Sequence, residues 1–311
     1  MDVTVVATSI VVMGLITIIG AFLAHKVTIT KDAKQVIILI VLNIAVPSII
    51  LNGVFNTEVT DQLLHQVILI FIISVLYHII AIFVALAMAK LFKFESLFAK
   101  KMALLTALGN TGFIGIPLCA TIFGPVGGLL AAIFDAALDV ILFSIGVYML
   151  QSGKGLEVRQ LLKAFINIPF IAVIIGLTVA ISGAEPPAFL KQLTGLLSGL
   201  AAPLAMLYIG MLLQDLFKRN GVSIYRQIWF PLIGRLLIFP LLMMTVLSFI
   251  QLDSILKNIV IILTAMPTFT LSAILFSRYT NDEETAVTTI AFSTLLSLMT
   301  IPLMAYLATI L

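Results

Sequence analysis

The chain has 311 residues, of which 62% are apolar and only 10% carry a charge, and its formal net charge is +3. With a mean hydropathy of +1.24, it has too few charged side chains to cover the surface of a water-soluble globular protein. No basic run with interleaved aromatic residues indicates nucleic-acid binding, and the single cysteine, Cys119, excludes an intramolecular disulfide.

Ten apolar stretches are long enough to cross a hydrocarbon layer of about 30 Å at about 1.5 Å per helical residue. The first is predicted to be a true span rather than a signal peptide, because no basic residue precedes it. The short loops leave no room for a soluble domain. The predicted spans are Val3–Ala24, Ala33–Val54, Leu63–Ala89, Lys101–Phe123, Gly127–Leu150, Leu162–Ser182, Leu190–Leu213, Ile228–Ile250, Leu256–Arg278 and Thr285–Ile310.

Basic residues support this scheme, because they alternate between its two sides. Most of the 17 Lys and Arg residues lie in loops that follow odd-numbered spans, whereas the opposite side has only Lys191 and Lys257. Loops rich in Lys and Arg stay in the cytoplasm. Both termini are therefore predicted to lie on the extracytoplasmic side.

Two sets of five spans must have opposite orientations, because five is an odd number. Prolines stand at corresponding places, Pro47 and Pro203 in spans two and seven, Pro117 and Pro267 in spans four and nine. Such prolines can be simple kinks, but matched pairs favour an inverted repeat, which is typical of alternating-access transporters. We therefore predict an all-α polytopic membrane protein of two inverted five-helix repeats, residues 1–150 and 151–311.

Span four contains the segment Gly-Asn-Thr-Gly-Phe-Ile-Gly-Ile-Pro, and span nine contains Ala-Met-Pro-Thr-Phe-Thr. Glycine and proline weaken a helix and free backbone carbonyls, which are costly in lipid unless they are bound. If the two breaks cross, two helix N-termini converge there and favour an anion. The candidate substrate-binding residues are Asn110, Thr111, Gly112, Pro117, Met266, Pro267, Thr268 and Thr270.

Asp135 and Asp139 lie four residues apart in span five and share one helix face. A charged Asp at the bilayer centre costs about 3 kcal/mol, and two neighbouring carboxylates repel each other. We predict a coupling-ion site for Na⁺ or H⁺ here, with Asn110 beside it. The alternative is a buried pair that is satisfied by hydrogen bonds or by Arg235.

Two further polar residues lie inside spans. Arg235 could bind a substrate carboxylate, pair with an Asp, or extend to the cytoplasmic headgroups. His78 is interpreted first as a neutral structural histidine, with a proton carrier as the alternative. Asn43 and Gln214 are interpreted as structural.

The segments GNTGFIGIPL, AMPTFTLSAILFSRYTND and STLLSLMTIPL resemble the auxin efflux carrier family, and their spacing extends the resemblance over the whole chain. The resemblance implies a ten-helix fold in which spans four and nine cross at their prolines, and in which spans one, two, six and seven form a scaffold. It also implies organic-anion substrates, with Asn110, Pro117 and Pro267 at substrate positions. The short loop after span five is similar to bacterial members, which indicates a prokaryotic inner membrane. Thr268 stands where plant carriers often have an amide, which argues against auxin itself.

Other classes of function fit the sequence less well. An intramembrane aspartyl protease needs carboxylates on two facing helices, whereas both Asp residues lie on one, and no motif for a metalloprotease, a nucleotide or another cofactor occurs. An uncoupled anion channel or facilitator remains open. We predict a non-enzymatic secondary transporter of mono- or dicarboxylates that works by an elevator motion, coupled to Na⁺ or H⁺. Its apolar spans two and seven could support a homodimer.

Overall fold

The computed structural model describes residues 3–57, 60–151, 167–218 and 225–310. These residues are helical apart from loops, turns and one isolated bridge. The helices are α1 (Val3–Lys26), α2 (Lys31–Ile40), α3 (Val46–Phe55), α4 (Asp61–Leu91), α5 (Ser96–Ala107), α6 (Ile116–Ile141), α7 (Val147–Leu150), α8 (Ile168–Ser182), α9 (Ala188–Ser198), α10 (Ala201–Lys218), α11 (Trp229–Ile233), α12 (Phe239–Ser248), α13 (Ser254–Thr264), α14 (Ser272–Thr280) and α15 (Glu283–Ile310). The beginning of the predicted sixth span, and the basic residues Lys154, Arg159, Lys163 and Arg219, lie outside the described residues.

Seven helical stretches of the described chain are long and apolar enough to cross a membrane. Two further apolar helices, α8 and α13, are shorter. One of the seven, Thr111–Leu150, contains most of predicted span four and all of span five, and it is kinked at Gly124, where φ is 71°. The helix at the beginning of predicted span four starts at Ser96, before the predicted start of the span at Lys101.

Three of the prolines do not break their helices outright. Single π-helical turns, Val41–Ala45, Thr111–Gly115 and Gly234–Ile238, precede Pro47, Pro117 and Pro240. A wider turn accommodates the proline ring and its missing N–H without unwinding the chain. The helix is interrupted at residues 108–110. This is the beginning of the predicted broken segment, Gly109–Pro117, and not Pro117 itself, where the resemblance implied the crossing.

The helices form two groups. The first bundle contains α1–α3 and α8–α10, and the second contains α4–α7 and α11–α15. In the first bundle α1 and α10 approach so closely that a Cβ at Gly20 or Gly210 would collide with the backbone of the other helix. The bundles meet where α3 packs on α6, and a Cβ at Gly53 would come within 2.7 Å of the Pro125 carbonyl oxygen.

Among the described residues, Lys34 forms an ion pair with Asp215 in the first bundle, and Lys101 forms one with Asp282 in the second. Burial alone raises the pKa of Asp282, but hydrogen bonds from Lys101 and Thr285 outweigh it and hold this pKa below its ordinary value of 3.8. Because the pKa is lower in the folded state, the stabilisation is complete above the unfolded pKa and is lost as the pH falls through the folded pKa.

We therefore expect Asp282→Asn to lower the melting temperature by a constant amount between pH 8 and pH 5. The difference from the parent protein should shrink below about pH 4, where the parent carboxylate also becomes protonated. Melting curves of the detergent-purified proteins over this pH range test the expectation. Lys101→Met removes the same pair from the other side and should reproduce the pattern. A difference that persists unchanged at pH 3 would assign the effect to packing instead.

Candidate functional site

The interrupted segments of the fourth and ninth predicted spans cross and pair through their backbones. Gly109 and Thr268 form an antiparallel bridge. The Asn110 N–H donates to the Pro267 carbonyl at 2.7 Å, and the Phe269 N–H donates to the Leu108 carbonyl at 3.3 Å. Peptide groups that the interruptions release from helices thus satisfy one another, which is the condition for irregular backbone at membrane depth. The break in span nine contains Pro267, as predicted, whereas its partner in span four is Gly109.

The predicted residues Met266 and Thr268 face the protein interior. Both side chains are fully buried. The Thr268 hydroxyl donates to the Leu105 carbonyl at 3.0 Å, and its backbone N–H donates to the Ser293 hydroxyl at 3.1 Å. Because these groups are engaged within the protein, the geometry gives Thr268 a structural role at the crossing, and Ser293, which the sequence did not single out, shares it.

Asn110 and Thr270 form the polar side-chain pair at the crossing. The Asn110 amide donates to the Thr270 hydroxyl at 2.6 Å, and its oxygen accepts the Phe113 N–H at 3.3 Å. Asn110 therefore caps the helical segment that begins at Thr111, while α14 begins two residues after Thr270. Thr270 is partly exposed. Two helix starts and an amide–hydroxyl pair with an accessible side thus meet here, which suits an anionic group.

Asp135 lies directly against the start of the first of these helical segments. The Thr111 hydroxyl donates to the Asp135 carboxylate at 2.5 Å, and the backbone N–H of Gly112 also donates to it. A Cβ at Gly112 would lie 2.7 Å from a carboxylate oxygen of Asp135. The glycine therefore lets the carboxylate approach the backbone closely, and the structure brings Asn110, Thr111, Gly112 and Asp135 together.

Asp139 has a different partner, which sequence reasoning missed. The Asn167 amide donates to the Asp139 carboxylate at 3.1 Å, and the Asn167 oxygen caps α8 by accepting the Phe170 N–H at 2.7 Å. Asn167 belongs to the first bundle and Asp139 to the second, so this hydrogen bond joins the two. An asparagine before an Ile-Pro helix start is a capping signal, but nothing local indicates its contact with Asp139.

Arg235 is fully buried behind the crossing. Its guanidinium donates to the carbonyls of Met266 at 2.8 Å, Ala107 at 2.9 Å and Leu263 at 3.3 Å, and to the Tyr77 hydroxyl at 3.1 Å. The interpretation that it extends to the headgroups is wrong, because its side chain has no exposed surface. Among the described residues it forms no ion pair with either Asp. Its predicted contact with a substrate carboxylate finds no support in this geometry.

His78 lies in α4, packed edge-on against the rings of Tyr77 and Phe134. Its Nδ1 is 2.8 Å from the Ser74 carbonyl oxygen, which requires a proton on Nδ1. Its buried Nε2 has no hydrogen-bond partner among the residues that the structure describes. The geometry suits the neutral structural histidine, and the role of a proton carrier stays a prediction.

A cavity of about 180 Å³ lies between the bundles beside Pro117. Polar groups reach it from both sides, Asn52 and Ser198 from the first bundle and Thr121 from the second. Sequence reasoning missed Asn52 and Ser198. For Asn52 a signal was present, because it is an amide inside an apolar predicted span. The remaining lining residues are Ile49, Pro117, Ala120, Pro125, Gly199, Ala201 and Ala202.

Within the described ranges, no three His, Cys, Asp or Glu side chains converge as they would around a metal ion. A Na⁺ ion at the predicted coupling site would therefore depend on the two carboxylates of Asp135 and Asp139 and on the Thr111 hydroxyl. A proton needs only one carboxylate. The donor set is compatible with either cation.

Apolar helices with two interrupted segments that cross between them are typical of membrane transporters. The sequence profile of a family described as "Membrane transport protein" matches residues 5–161 and 156–305. The chain therefore belongs to this family, the auxin efflux carrier family that the motifs of spans four, nine and ten indicated. It is a multi-pass membrane protein.

Curated relatives are similar over much of the chain. An uncharacterized transporter of Methanothermobacter thermautotrophicus is 26% identical over 85% of this chain and 85% of its own length. Another, from Methanocaldococcus jannaschii, is 24% identical over 94% of this chain and 96% of its own length. A protein of Rhizobium meliloti named "Putative malonate transporter" is 27% identical over 65% of this chain and 64% of its own length. These relatives are named as transporters rather than enzymes.

Proposed function

We propose that this protein is a secondary active transporter of small organic anions, mono- or dicarboxylates, driven by a gradient of H⁺ or Na⁺. One observation carries the proposal. The polar pair Asn110–Thr270 lies at the start of two helical segments, and the Asp135 carboxylate accepts a hydrogen bond from Thr111, the residue after Asn110. A site for an anion is thereby next to a carboxylate that can take up a cation.

The architecture we propose is ten crossings in two inverted repeats, residues 1–150 and 151–311. Its support is the matched placement of the interruptions, at residues 108–110 and 265–271. With the basic loops in the cytoplasm, both termini are extracytoplasmic. The similarity to archaeal and bacterial proteins supports the cytoplasmic membrane of a prokaryote.

The substrate class follows from the electrostatics of the crossing. Helix starts carry partial positive charge, which favours a carboxylate there. The name of the Rhizobium relative refers to malonate, which is consistent with a small dicarboxylate. The cavity beside Pro117, with Asn52 and Thr121, adds polar groups between the two bundles.

The coupling cation would neutralise Asp135 or Asp139. When both carboxylates are ionised they repel each other and an incoming anion, so uptake of one cation makes anion binding more favourable. This dependence of anion affinity on cation binding couples the anion gradient to the cation gradient. His78 remains an alternative proton carrier.

Alternating access would arise if the second bundle moves against the first. The crossing, Asp135 and Arg235 all belong to the second bundle, so they would travel together. The contacts that must change include the packing of α3 on α6, the packing of α1 on α15 and the Asn167–Asp139 hydrogen bond. This is the elevator motion that the resemblance implied.

The proposal is tested by ligand-dependent melting of the detergent-purified protein. A panel of mono- and dicarboxylates is tested in Na⁺ or K⁺ at two pH values. A ligand that binds only the folded state stabilises it by about 2.7 kcal/mol at a hundredfold excess over Kd. We expect at least one acid to raise the melting temperature, and either Na⁺ or low pH to enlarge the increase.

Matched uncharged amides of the same acids are the control, and they should have no effect. For the acid that raises the melting temperature most, uptake into proteoliposomes is then measured with and without a cation gradient. Saturable, gradient-dependent uptake supports the carrier. Binding without gradient dependence would favour a facilitator or channel, and a panel without any effect would contradict the anion assignment.

A further inference from the structure

The carbonyl groups at the crossing are already occupied. The helices α5 and α13 both end there, and helix C-termini carry partial negative charge that favours a cation. The carbonyls of Ala107, Leu263 and Met266 all accept from Arg235. Those of Leu108 and Pro267 accept backbone N–H groups across the bridge. Arg235 thus supplies, as a permanent part of the chain, the cation that this face of the crossing requires.

The guanidinium lies directly against the backbone of Gly109. A Cβ at this position would collide with the Arg235 Nη2. The next residue is Asn110, whose amide and capped helix start form the opposite face of the crossing. The backbone of Gly109 therefore separates the buried positive charge from the proposed anion site. Any residue other than glycine at this position would push the guanidinium away from that site.

Nothing acidic neutralises this charge in the part of the chain that the structure describes. The partners of Arg235 are three carbonyls and the Tyr77 hydroxyl. The carboxylates of Asp135 and Asp139 bind other groups, namely Thr111, Gly112 and Asn167. Backbone carbonyls rather than a carboxylate offset the charge, and in a region of low dielectric it acts over several ångströms because little solvent screens it.

We infer that Arg235 determines the anion selectivity of the crossing from behind the backbone, without touching the substrate. Its charge raises the affinity for carboxylates, and more so for a doubly charged one, while its hydrogen bonds hold the two interrupted helices together. Arg235 is thus a positioning and specificity-determining residue. The inference rests on the proposed function, since it presupposes that an anion binds at Asn110 and Thr270.

Charge and hydrogen bonding are separated by two substitutions, Arg235→Lys and Arg235→Gln. Lysine keeps the charge but cannot reproduce the planar arrangement of donors, whereas glutamine removes the charge. Arg278→Gln removes the same charge from an exposed position at the end of α14 and is the matched control. Affinities are measured by melting titration with acids of equal carbon number, malonate with propionate and succinate with butyrate.

We expect Arg235→Gln to weaken monocarboxylate binding about threefold and dicarboxylate binding about tenfold, because the Coulomb energy doubles with the ligand charge. Arg235→Lys should keep the preference for the dicarboxylate while lowering the melting temperature. Arg278→Gln should change neither. This difference between the acids is a readout that a purely structural role would not alter.

Equal weakening of both acids by Arg235→Gln, or a lost preference in Arg235→Lys, would overturn the inference. Where Arg235→Gln does not yield folded protein, Arg235→Lys alone carries the test, because a retained charge predicts a retained preference. If the parent protein binds none of the acids, the proposed function itself fails, and the two failures are thereby distinguished.

Discussion

Asp135→Asn is expected to abolish gradient-driven accumulation of the anion. The inside-to-outside ratio should fall to one from the value set by the imposed cation gradient, which is tenfold for each driving force of about 1.4 kcal/mol. Asparagine has nearly the same shape and can still accept the hydrogen bonds from Thr111 and Gly112. It cannot take up a proton or attract Na⁺. Anion binding should therefore survive while its dependence on the cation disappears. Proteoliposome uptake with an imposed gradient measures the first quantity, and melting titration measures the second.

Two further variants sharpen this experiment. Asp139→Asn keeps a partner for Asn167 and should reduce the cation dependence as well if the two carboxylates act as a pair. Asp253→Asn is the matched control, because Asp253 is an exposed helix cap and asparagine caps equally well. Normal accumulation by Asp135→Asn would place the coupling elsewhere, with His78 as the next candidate.

Gly109→Ala is expected to have the second large effect, a loss of about 3 kcal/mol in the free energy of unfolding, because an added methyl group would overpack the buried crossing. The methyl carbon would collide with the Arg235 guanidinium, which is held by three carbonyls and cannot retreat without losing hydrogen bonds. Anion affinity should fall with it, since Asn110 is the next residue. The melting temperature and the yield of monodisperse protein measure the loss.

The control is Gly14→Ala in α1, where a Cβ would have no neighbouring atom within 4 Å. In a helix interior alanine is about 1 kcal/mol more favourable than glycine. The stability of this variant should therefore be unchanged or slightly higher. The double substitution Gly109→Ala with Arg235→Gln should cost less than the sum of the two changes, because the collision is shared. Equal melting temperatures for Gly109→Ala and Gly14→Ala would contradict the close contact between Gly109 and the Arg235 guanidinium.

The position of the crossing shows where prediction from local sequence fails. The sequence predicted a break in the segment Gly109–Pro117, which is rich in glycine and ends in proline, and the resemblance implied a crossing at Pro117. In the structure a single π-helical turn accommodates that proline, and the chain leaves the helix near Gly109 instead. The cause is distant in sequence, because Gly109 pairs with Thr268 and receives the Arg235 guanidinium. At Pro267, where the proline and the pairing coincide, the prediction was correct.

The role of Arg235 could not be deduced for a similar reason. A charged residue in an apolar span indicates function or a buried partner, and the natural partners to consider were Asp135 and Asp139. Its partners are backbone carbonyls, which every residue possesses, so no sequence pattern marks them. Asn167 was missed likewise, because its bond to Asp139 joins two helices whose approach depends on packing.

The sequence by itself determined that the chain is a helical, multi-pass membrane protein of the auxin efflux carrier family. A chain that crosses a lipid bilayer needs long apolar helices with few charges, and this requirement can be recognised from composition and motifs. The sequence also located the polar, glycine-rich segments and the two intramembrane carboxylates. Only the tertiary structure decided which of these groups meet, since the crossing, the buried guanidinium and the cavity between the bundles depend on contacts between distant segments. Those contacts satisfy backbone groups and buried charge in three dimensions, a condition that no local pattern encodes.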